Sequence, residues 1–201
     1  MITIGIDLGN HGAIAYIDDT QIPTSAYSYI FIPEAIPMPK TDNEKWIHLH
    51  KLATTVHKNE RHFQPCQLFM EDIQIYTSTA VNSYAYKSLF QEMGKFMAWC
   101  VTLNIPYTLV HANVWQNYMN SLSLKGKARQ KAMAGMNIDQ AKQWCKDFDS
   151  KGLALRECKK RYPGINLVAP GCRTPHDGMV DAILIATWGK EKHGSRTIQP
   201  A

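Results

Sequence analysis

The chain has 201 residues, 45% of them hydrophobic, and a formal net charge of +5. This length predicts a single domain with its own core. No apolar run is long enough to cross a membrane and no basic, apolar leader opens the chain, so we expect a cytoplasmic protein without a membrane partner. The five cysteines form no CxxC pair, which favours reduced thiols over a zinc ribbon or a disulfide scaffold.

The N-terminal half shows strand and helix patterns in alternation. In chain order we predict strands at 2–7 and 13–18, short strands and loop over 20–41, a helix from 42 to about 59, and a strand at 66–72. The first two strands form a hairpin around a glycine turn. Asp42 or Asn43 is the expected N-cap of the helix, because both side chains can accept a hydrogen bond from the first helical turn.

The C-terminal half continues the alternation. We predict a helix at 83–102, a strand at 105–111, helix from 113 onward, either a short strand or loop at 165–170, and a last helix at 176–192. The helix at 83–102 has the clearest pattern, with apolar residues recurring at steps of three and four. The whole pattern predicts an α/β or mixed-sheet fold in one domain, residues 1–192, followed by a disordered tail at 193–201.

Basic residues are concentrated in one sector of the chain. Residues 125–161 hold eleven lysines and arginines against four acids, whereas the rest of the chain has a slight acidic excess. Such a sector is typical of a protein that binds a polyanion such as nucleic acid. It is equally typical of a solvated helix face, and charge alone leaves the two interpretations open.

Four acidic residues stand where a carboxylate is costly. Asp7 and Glu71 each follow an apolar run at the end of a predicted strand, and burying either charge without a partner costs several kcal/mol. Asp177 and Asp181 are four residues apart on the last helix, so their like charges share one helical face and repel each other. Taken singly, each acid is explained as well by a turn, a strand end or a helix cap.

The four acids acquire a common explanation if they meet in space. Two carboxylates about 4 Å apart repel by roughly 4 kcal/mol at an effective dielectric constant near 20, so a cluster requires a cation. Ligands that are all oxygen favour Mg²⁺ or Mn²⁺. A pair of such ions about 3.5–4 Å apart is a known arrangement for phosphodiester cleavage. An acidic cluster and a basic sector would then serve the same nucleic-acid substrate.

Three segments resemble, in order, the RuvC family of Holliday-junction resolvases, and the last resembles its phage-encoded branch most. They are "IGIDLG" at the start, "FMED" near residue 70 and "HDGMVDAILIATWG" near the end. The helix between them is also similar, with Ser83, Gln91 and Gly94 at corresponding places, and the segment Asn113–Trp115 is similar too. The resemblance touches about half of the chain. It implies an RNase H-like fold, with a mixed five-stranded sheet and helices on both faces.

The resemblance also implies an activity and a site. The family members are metal-dependent endonucleases that cleave branched DNA, which makes the expected activity that of a crossover junction endodeoxyribonuclease. Asp7, Glu71, Asp177 and Asp181 match the catalytic, metal-binding acids, with two Mg²⁺ or Mn²⁺ ions per site. The helix acids of the bacterial enzymes are three residues apart, whereas here they are four apart. His176 is a possible accessory group, although a histidine at a helix start is more often a cap.

DNA contacts are expected from residues outside this acidic set. The family uses lysines after the fifth strand, for which Lys125 and Lys127 are the candidates here. Arg129 and Lys131 of the same basic sector are further expected DNA contacts. Tyr76 is a candidate for stacking on unpaired bases at a junction. A four-way junction is nearly two-fold symmetric, so a homodimer with two sites is expected, and the helix at 83–102 is the candidate dimer face.

Two other functions are also consistent with the sequence. The first is a DNA-binding module on the same fold that does not cleave. The second is an ATPase, because "GIDLGNHGAIAYID" also resembles the first phosphate loop of sugar kinases and actin-like ATPases. The ATPase is the weaker alternative, since 201 residues are too few for two such domains and no later glycine-rich phosphate loop is present.

Overall fold

The computed structural model of the chain describes residues 1–18, 33–54, 66–73, 83–119, 134–137, 139–140 and 150–193. Within them, no helix combines the length and the apolar composition needed to cross a bilayer.

Five strands form one mixed sheet. They are β1 (Ile2–Asp7), β2 (Ala13–Asp18), β3 (Glu34–Pro37), β4 (Cys66–Asp72) and β5 (Tyr107–His111). Their order across the sheet is β3-β2-β1-β4-β5. β2 runs antiparallel to both β1 and β3, whereas β4 runs parallel to both β1 and β5. The predicted β1–β2 hairpin is therefore extended by the antiparallel strand β3 beside β2, and by the parallel strands β4 and β5 beside β1.

The helices cover both faces of this sheet. They are α1 (Asp42–Thr54), α2 (Ser83–Thr102), α3 (Ala112–Met119), α4 (Ser150–Arg161) and α5 (Asp177–His193). Side chains of α1 and α2 join one buried cluster on one face, and side chains of α3, α4 and α5 join a second cluster on the other face. The predicted mixed five-stranded sheet with helices on both faces is confirmed.

Alternation along β1 decides which side chains meet which helices. Ile2, Ile4 and Ile6 are fully buried in the cluster with α1 and α2. Successive residues of a strand point to opposite faces, so Gly5 and Asp7 face the other layer. β4 repeats the pattern in register, since Leu68 and Met70 of that strand belong to the α1–α2 cluster as well.

The last helix packs on β1 with its backbone almost in contact with the strand. A Cβ atom added at Gly5 would lie 2.1 Å from the carbonyl oxygen of Ala182 and 2.6 Å from the amide nitrogen of Ala186. Only a residue without a side chain permits this approach. α5 is consequently buried along most of its length, between the sheet and the helices α3 and α4.

Some element boundaries differ from the prediction for identifiable reasons. The cap of α1 is Thr41 rather than Asp42 or Asn43, because Thr41 and Glu44 exchange hydrogen bonds with each other's backbone N–H groups in a capping box. Of the two alternatives predicted for residues 165–170, the loop is the one observed, with a single bridge between Val168 and Pro175. α1 is described to Thr54, and the predicted continuation of this helix toward residue 59 lies outside the described residues.

The apolar pattern of α2 is explained by the core. Phe96 and Cys100 of α2 are fully buried in the α1–α2 cluster, and Met93 and Met97 of the same helix pack against that cluster. The pattern that made this helix the candidate dimer face therefore reflects packing within the chain, and the homodimer remains a prediction. α5 extends to His193, so the predicted tail at 193–201 is wrong for its first residue, and residues 194–201 lie outside the described residues.

Candidate carboxylate site

Two of the four acids meet because β1 and β4 are parallel neighbours in a particular register. Ile6 pairs with Met70, so Asp7 and Glu71 are the next residues on adjacent strands. Ile6 and Met70 both point into the α1–α2 cluster. Asp7 and Glu71 must therefore point to the opposite face, toward α5, on strands that are about 4.8 Å apart.

The other two acids are brought to the same place by the start of α5. A Cβ atom at Gly178 would lie 2.2 Å from the carbonyl oxygen of His11, so the first turn of α5 abuts the β1–β2 turn. A cavity of about 540 Å³ opens there, and its lining includes Asp7, Asp177 and Asp181. The N-terminal end of α5 thus faces the end of β1.

Glu71 lines a second, smaller cavity, and Asp7 lines both this cavity and the larger one. Its volume is about 230 Å³, and Asp7, Glu71 and Tyr86 are among its lining residues. Asp7 therefore lies between the two cavities and links Glu71 with the acids of α5. The four predicted site residues share one region of the structure, while their roles in metal binding and catalysis remain predictions.

The charges of these acids interact strongly. Burial, followed by repulsion from Asp181 and Glu71, raises the pKa of Asp7 to about 8. Burial, followed by repulsion from Glu71 and Asp177, raises the pKa of Asp181 to about 7. Burial also raises the pKa of Glu71, although a hydrogen bond from Trp115 opposes that shift. The cluster is therefore costly to ionise unless a cation compensates for its charge.

The donor set fits a hard divalent cation in its chemistry, though its geometry is not preformed. Each of the four side chains offers carboxylate oxygens, the ligands that Mg²⁺ and Mn²⁺ prefer. In the described part of the chain, no three His, Cys, Asp or Glu side chains already stand as a metal-binding group. Asp177 instead accepts a hydrogen bond from the ammonium of Lys151, at 2.5 Å.

Two residues at the site were not assigned a role by the sequence. Lys151 is on α4, lines the larger cavity and lowers the pKa of both Asp7 and Asp181. Trp115 is on α3 and donates a hydrogen bond from its indole Nε1 to Oε2 of Glu71, at 3.0 Å. The sequence indicates either role only weakly. Lys151 is one of eleven basic residues in the sector 125–161, and Trp115 lies in a segment whose only distinguishing feature is its resemblance to the RuvC family.

His176 acts as the helix cap that its position suggested. Its Nδ1 accepts a hydrogen bond from the backbone N–H of Met179 at 3.3 Å, and its carbonyl accepts from the N–H of Val180 at 3.2 Å. The ring also lines the larger cavity. An accessory role for His176 remains a prediction. The predicted DNA contacts Tyr76, Lys125, Lys127, Arg129 and Lys131 lie outside the described residues.

A dependence of stability on pH follows from the raised pKa values. Between pH 4 and 8 the folded chain holds protons on Asp7 and Asp181 that the unfolded chain releases near the ordinary pKa of 3.8. The unfolding free energy must therefore fall as pH rises through this window. We expect urea denaturation in EDTA to show a steeper loss between pH 5 and pH 8 for the wild type than for the Asp7→Asn, Asp181→Asn double variant. Equal pH dependence of the two proteins would contradict the carboxylate cluster.

Comparison with known proteins yields similarity in structure alone. No family model and no curated protein matches the chain. Among solved structures, Thermus thermophilus RuvC in complex with a Holliday junction substrate is 12% identical, with a TM-score of 0.49, and the match covers 92% of this chain and 90% of that one. A second Thermus thermophilus RuvC structure is 13% identical, with a TM-score of 0.46, over 97% of this chain and 98% of that one. At this level of similarity, function has to be argued from the side chains of the site.

Proposed function

We propose that the protein is a divalent-metal-dependent endonuclease that cleaves branched DNA, with the four-way junction as its principal substrate. The observation that carries this proposal is the convergence of Asp7, Glu71, Asp177 and Asp181 from β1, β4 and α5. Like charges at such a site are unfavourable in the isolated protein, and the arrangement becomes useful when it binds cations.

Each part of the site has a role in phosphodiester hydrolysis. Asp7, Glu71, Asp177 and Asp181 are the residues that would hold the cations, with Asp7 lying between the other acids. Bound Mg²⁺ or Mn²⁺ would supply activation of a water and stabilisation of the charge on the leaving oxygen. The cavity beside α5 would accommodate the scissile phosphate. The resemblance implies products with a 5′-phosphate.

Lys151 supplies the described cation nearest to the acids. In the structure its ammonium is bonded to Asp177, and most of its side chain is exposed to solvent. With a cation bound at the acids, Lys151 would be placed to donate a hydrogen bond to a non-bridging oxygen of the scissile phosphate. Lys151 therefore has a separate role before and after metal binding.

Replacing Lys151 by methionine is expected to lower the cleavage rate by about 10²-fold, the usual effect of removing one donor to a developing negative charge. The matched control is Lys159→Met, which removes the same charge from an exposed position two turns along α4. Single-turnover cleavage of a labelled junction separates this loss from a change in DNA affinity. Equal rates for the two variants would exclude Lys151 from the reaction.

A homodimer completes the proposal. Two matched cuts in a nearly symmetric junction require two sites, which a C2 dimer provides. Light scattering with and without junction DNA measures the oligomeric state. A monomer both free and bound would require the two cuts to be made in sequence by separate molecules.

The experiment that tests the function is a cleavage assay on a panel of substrates. Synthetic four-way junction, fork, flap and linear duplex are incubated with the protein in Mg²⁺, Mn²⁺ or EDTA. We expect paired symmetric nicks in the junction, dependent on the metal, with little cleavage of the duplex. Junction binding without cleavage in either metal would favour a non-catalytic DNA-binding module. Micromolar nucleotide binding without cleavage would favour an ATPase.

A further inference from the structure

The indole of Trp115 is buried beside the carboxylate site. Trp115 is only 1% exposed and belongs to the core cluster between the sheet and α5. Its Nε1 donates to Oε2 of Glu71 at 3.0 Å, which is a normal length for such a bond. A tryptophan in a core needs a partner for its single N–H group, and here that partner is one of the four acids of the site.

The fold holds this indole in place from several directions. Glu71 pairs with Val110 of β5 in the sheet, so the strand before α3 is fixed beside Glu71. α3 begins directly after His111, whose Nδ1 accepts a hydrogen bond from the N–H of Asn113 at 3.2 Å. Trp115 follows within the first turn of α3. The donor is therefore set by a strand, a helix start and a packed core rather than by a loop.

The bond uses one carboxylate oxygen and constrains the other. A carboxylate that accepts a rigid hydrogen bond at Oε2 cannot rotate freely, so Oε1 is presented in a limited range of directions. Side chains that hydrogen-bond the second oxygen of a metal-binding carboxylate commonly govern metal affinity. Their loss costs about 10–100-fold in affinity or activity.

We propose that Trp115 is a positioning residue, which orients Glu71 for cation binding through the Nε1–Oε2 hydrogen bond. This inference rests on the proposed function, because it assigns Glu71 a cation. It goes beyond that function by naming a residue outside the acidic set on which the cation affinity depends. Trp115 itself touches neither cation nor DNA in this role.

The alternative is that Trp115 merely fills the core, and two substitutions separate the possibilities. Trp115→Phe keeps an aromatic ring and removes the N–H donor. Trp188→Phe makes the same change in the same core cluster, where the Trp188 ring packs edge-on against Phe69 with centroids 5.9 Å apart. Loss of packing affects both variants, whereas loss of the hydrogen bond to Glu71 affects only the first.

The affinity for Mn²⁺ alone, measured by calorimetric titration of the full chain, is the first readout. We expect Trp115→Phe to weaken Mn²⁺ binding by about 10-fold or more, and Trp188→Phe to leave it within a factor of about two. The double variant Glu71→Gln, Trp115→Phe should bind no more weakly than Glu71→Gln alone, since the tryptophan acts through Glu71. Wild-type affinity in Trp115→Phe, or equal weakening in both tryptophan variants, would overturn the proposal.

A second readout does not depend on the stability of a tryptophan variant. The indole N–H resonances of the wild type are recorded by ¹H–¹⁵N NMR, with and without Mg²⁺, and compared with those of Glu71→Gln. We expect one indole resonance to move in both comparisons, and a set of unmoved resonances would overturn the inference. If the wild type neither binds Mn²⁺ nor cleaves DNA, the proposed function fails. If it does both while Trp115→Phe behaves as the wild type, only the role of Trp115 fails.

Discussion

Replacing Asp7 by asparagine is expected to abolish junction cleavage and at the same time to stabilise the protein in EDTA. Asp7 lies between both groups of acids, so its loss disrupts every cation position of the site. The metal contribution to such reactions is worth several kcal/mol, which corresponds to a fall in rate of about 10³-fold or more. Junction affinity should change little, since basic residues rather than Asp7 attract the phosphates.

The stabilising half of this result has a separate cause. Burial and the neighbouring carboxylates raise the pKa of Asp7 to about 8, so a neutral side chain of the same shape removes an unfavourable group. A gain of about 1–2 kcal/mol would raise the melting temperature by roughly 2–8 °C for a chain of this size. Adding Mg²⁺ should reverse the order of stability, because only the wild type gains from binding it.

The matched control is Asp139→Asn, at an exposed position that lines neither cavity of the site. It makes the same chemical change and should alter neither cleavage nor melting. Full cleavage by Asp7→Asn would remove Asp7 from the reaction. A lower melting temperature of that variant in EDTA would show that the carboxylate stabilises the fold, contrary to the electrostatics of the site.

Replacing Gly5 by alanine is expected to produce the largest loss of stability. The new Cβ would fall 2.1 Å from the carbonyl oxygen of Ala182, which is backbone and cannot swing away. α5 would have to move off β1, and this packing supports both the core and the acids of α5. Overpacking of a rigid core costs about 1–3 kcal/mol and sometimes more. We expect the upper end of this range, seen as a melting temperature lower by roughly 6–12 °C.

Gly94→Ala provides the opposite control. Gly94 lies on the exposed face of α2, and no described atom beyond the adjoining backbone of α2 is within 4 Å of the position its Cβ would take. Because glycine is unfavourable inside a helix, this alanine should stabilise the chain by about 0.5–1 kcal/mol. Thermal denaturation of both variants checks the pair. A neutral Gly5→Ala would mean that α5 does not rest on β1 as closely as described.

Much of the layer arrangement could be predicted because it depends on local pattern. The apolar runs of β1 and β4 and the long periodic stretch of α2 predict the bounds of these elements to the residue. β5 begins two residues later than predicted, after Pro106, which has no N–H to donate to the sheet. The cap of α1 lies one or two residues before the predicted Asp42 or Asn43, because the Thr41–Glu44 capping box sets the start of the helix.

The site was predictable in its acids and not in its supporting residues. Asp7 and Glu71 stand out in sequence because each ends an apolar strand. Their proximity depends on the register that pairs Ile6 with Met70, and no local pattern specifies a pairing between segments more than 60 residues apart. The same holds for Trp115 and Lys151, whose partners Glu71 and Asp177 are distant in the chain.

The most direct test of the central claim is to locate bound metal. Crystals of the wild type grown or soaked in Mn²⁺ are measured near the manganese absorption edge, and the anomalous peaks are assigned to ligands. Our account predicts anomalous peaks beside Asp7. They should lie toward Glu71 on one side of Asp7 and toward Asp177 and Asp181 on the other. Manganese bound elsewhere on the chain, or no peak beside Asp7 at saturating Mn²⁺, would contradict it.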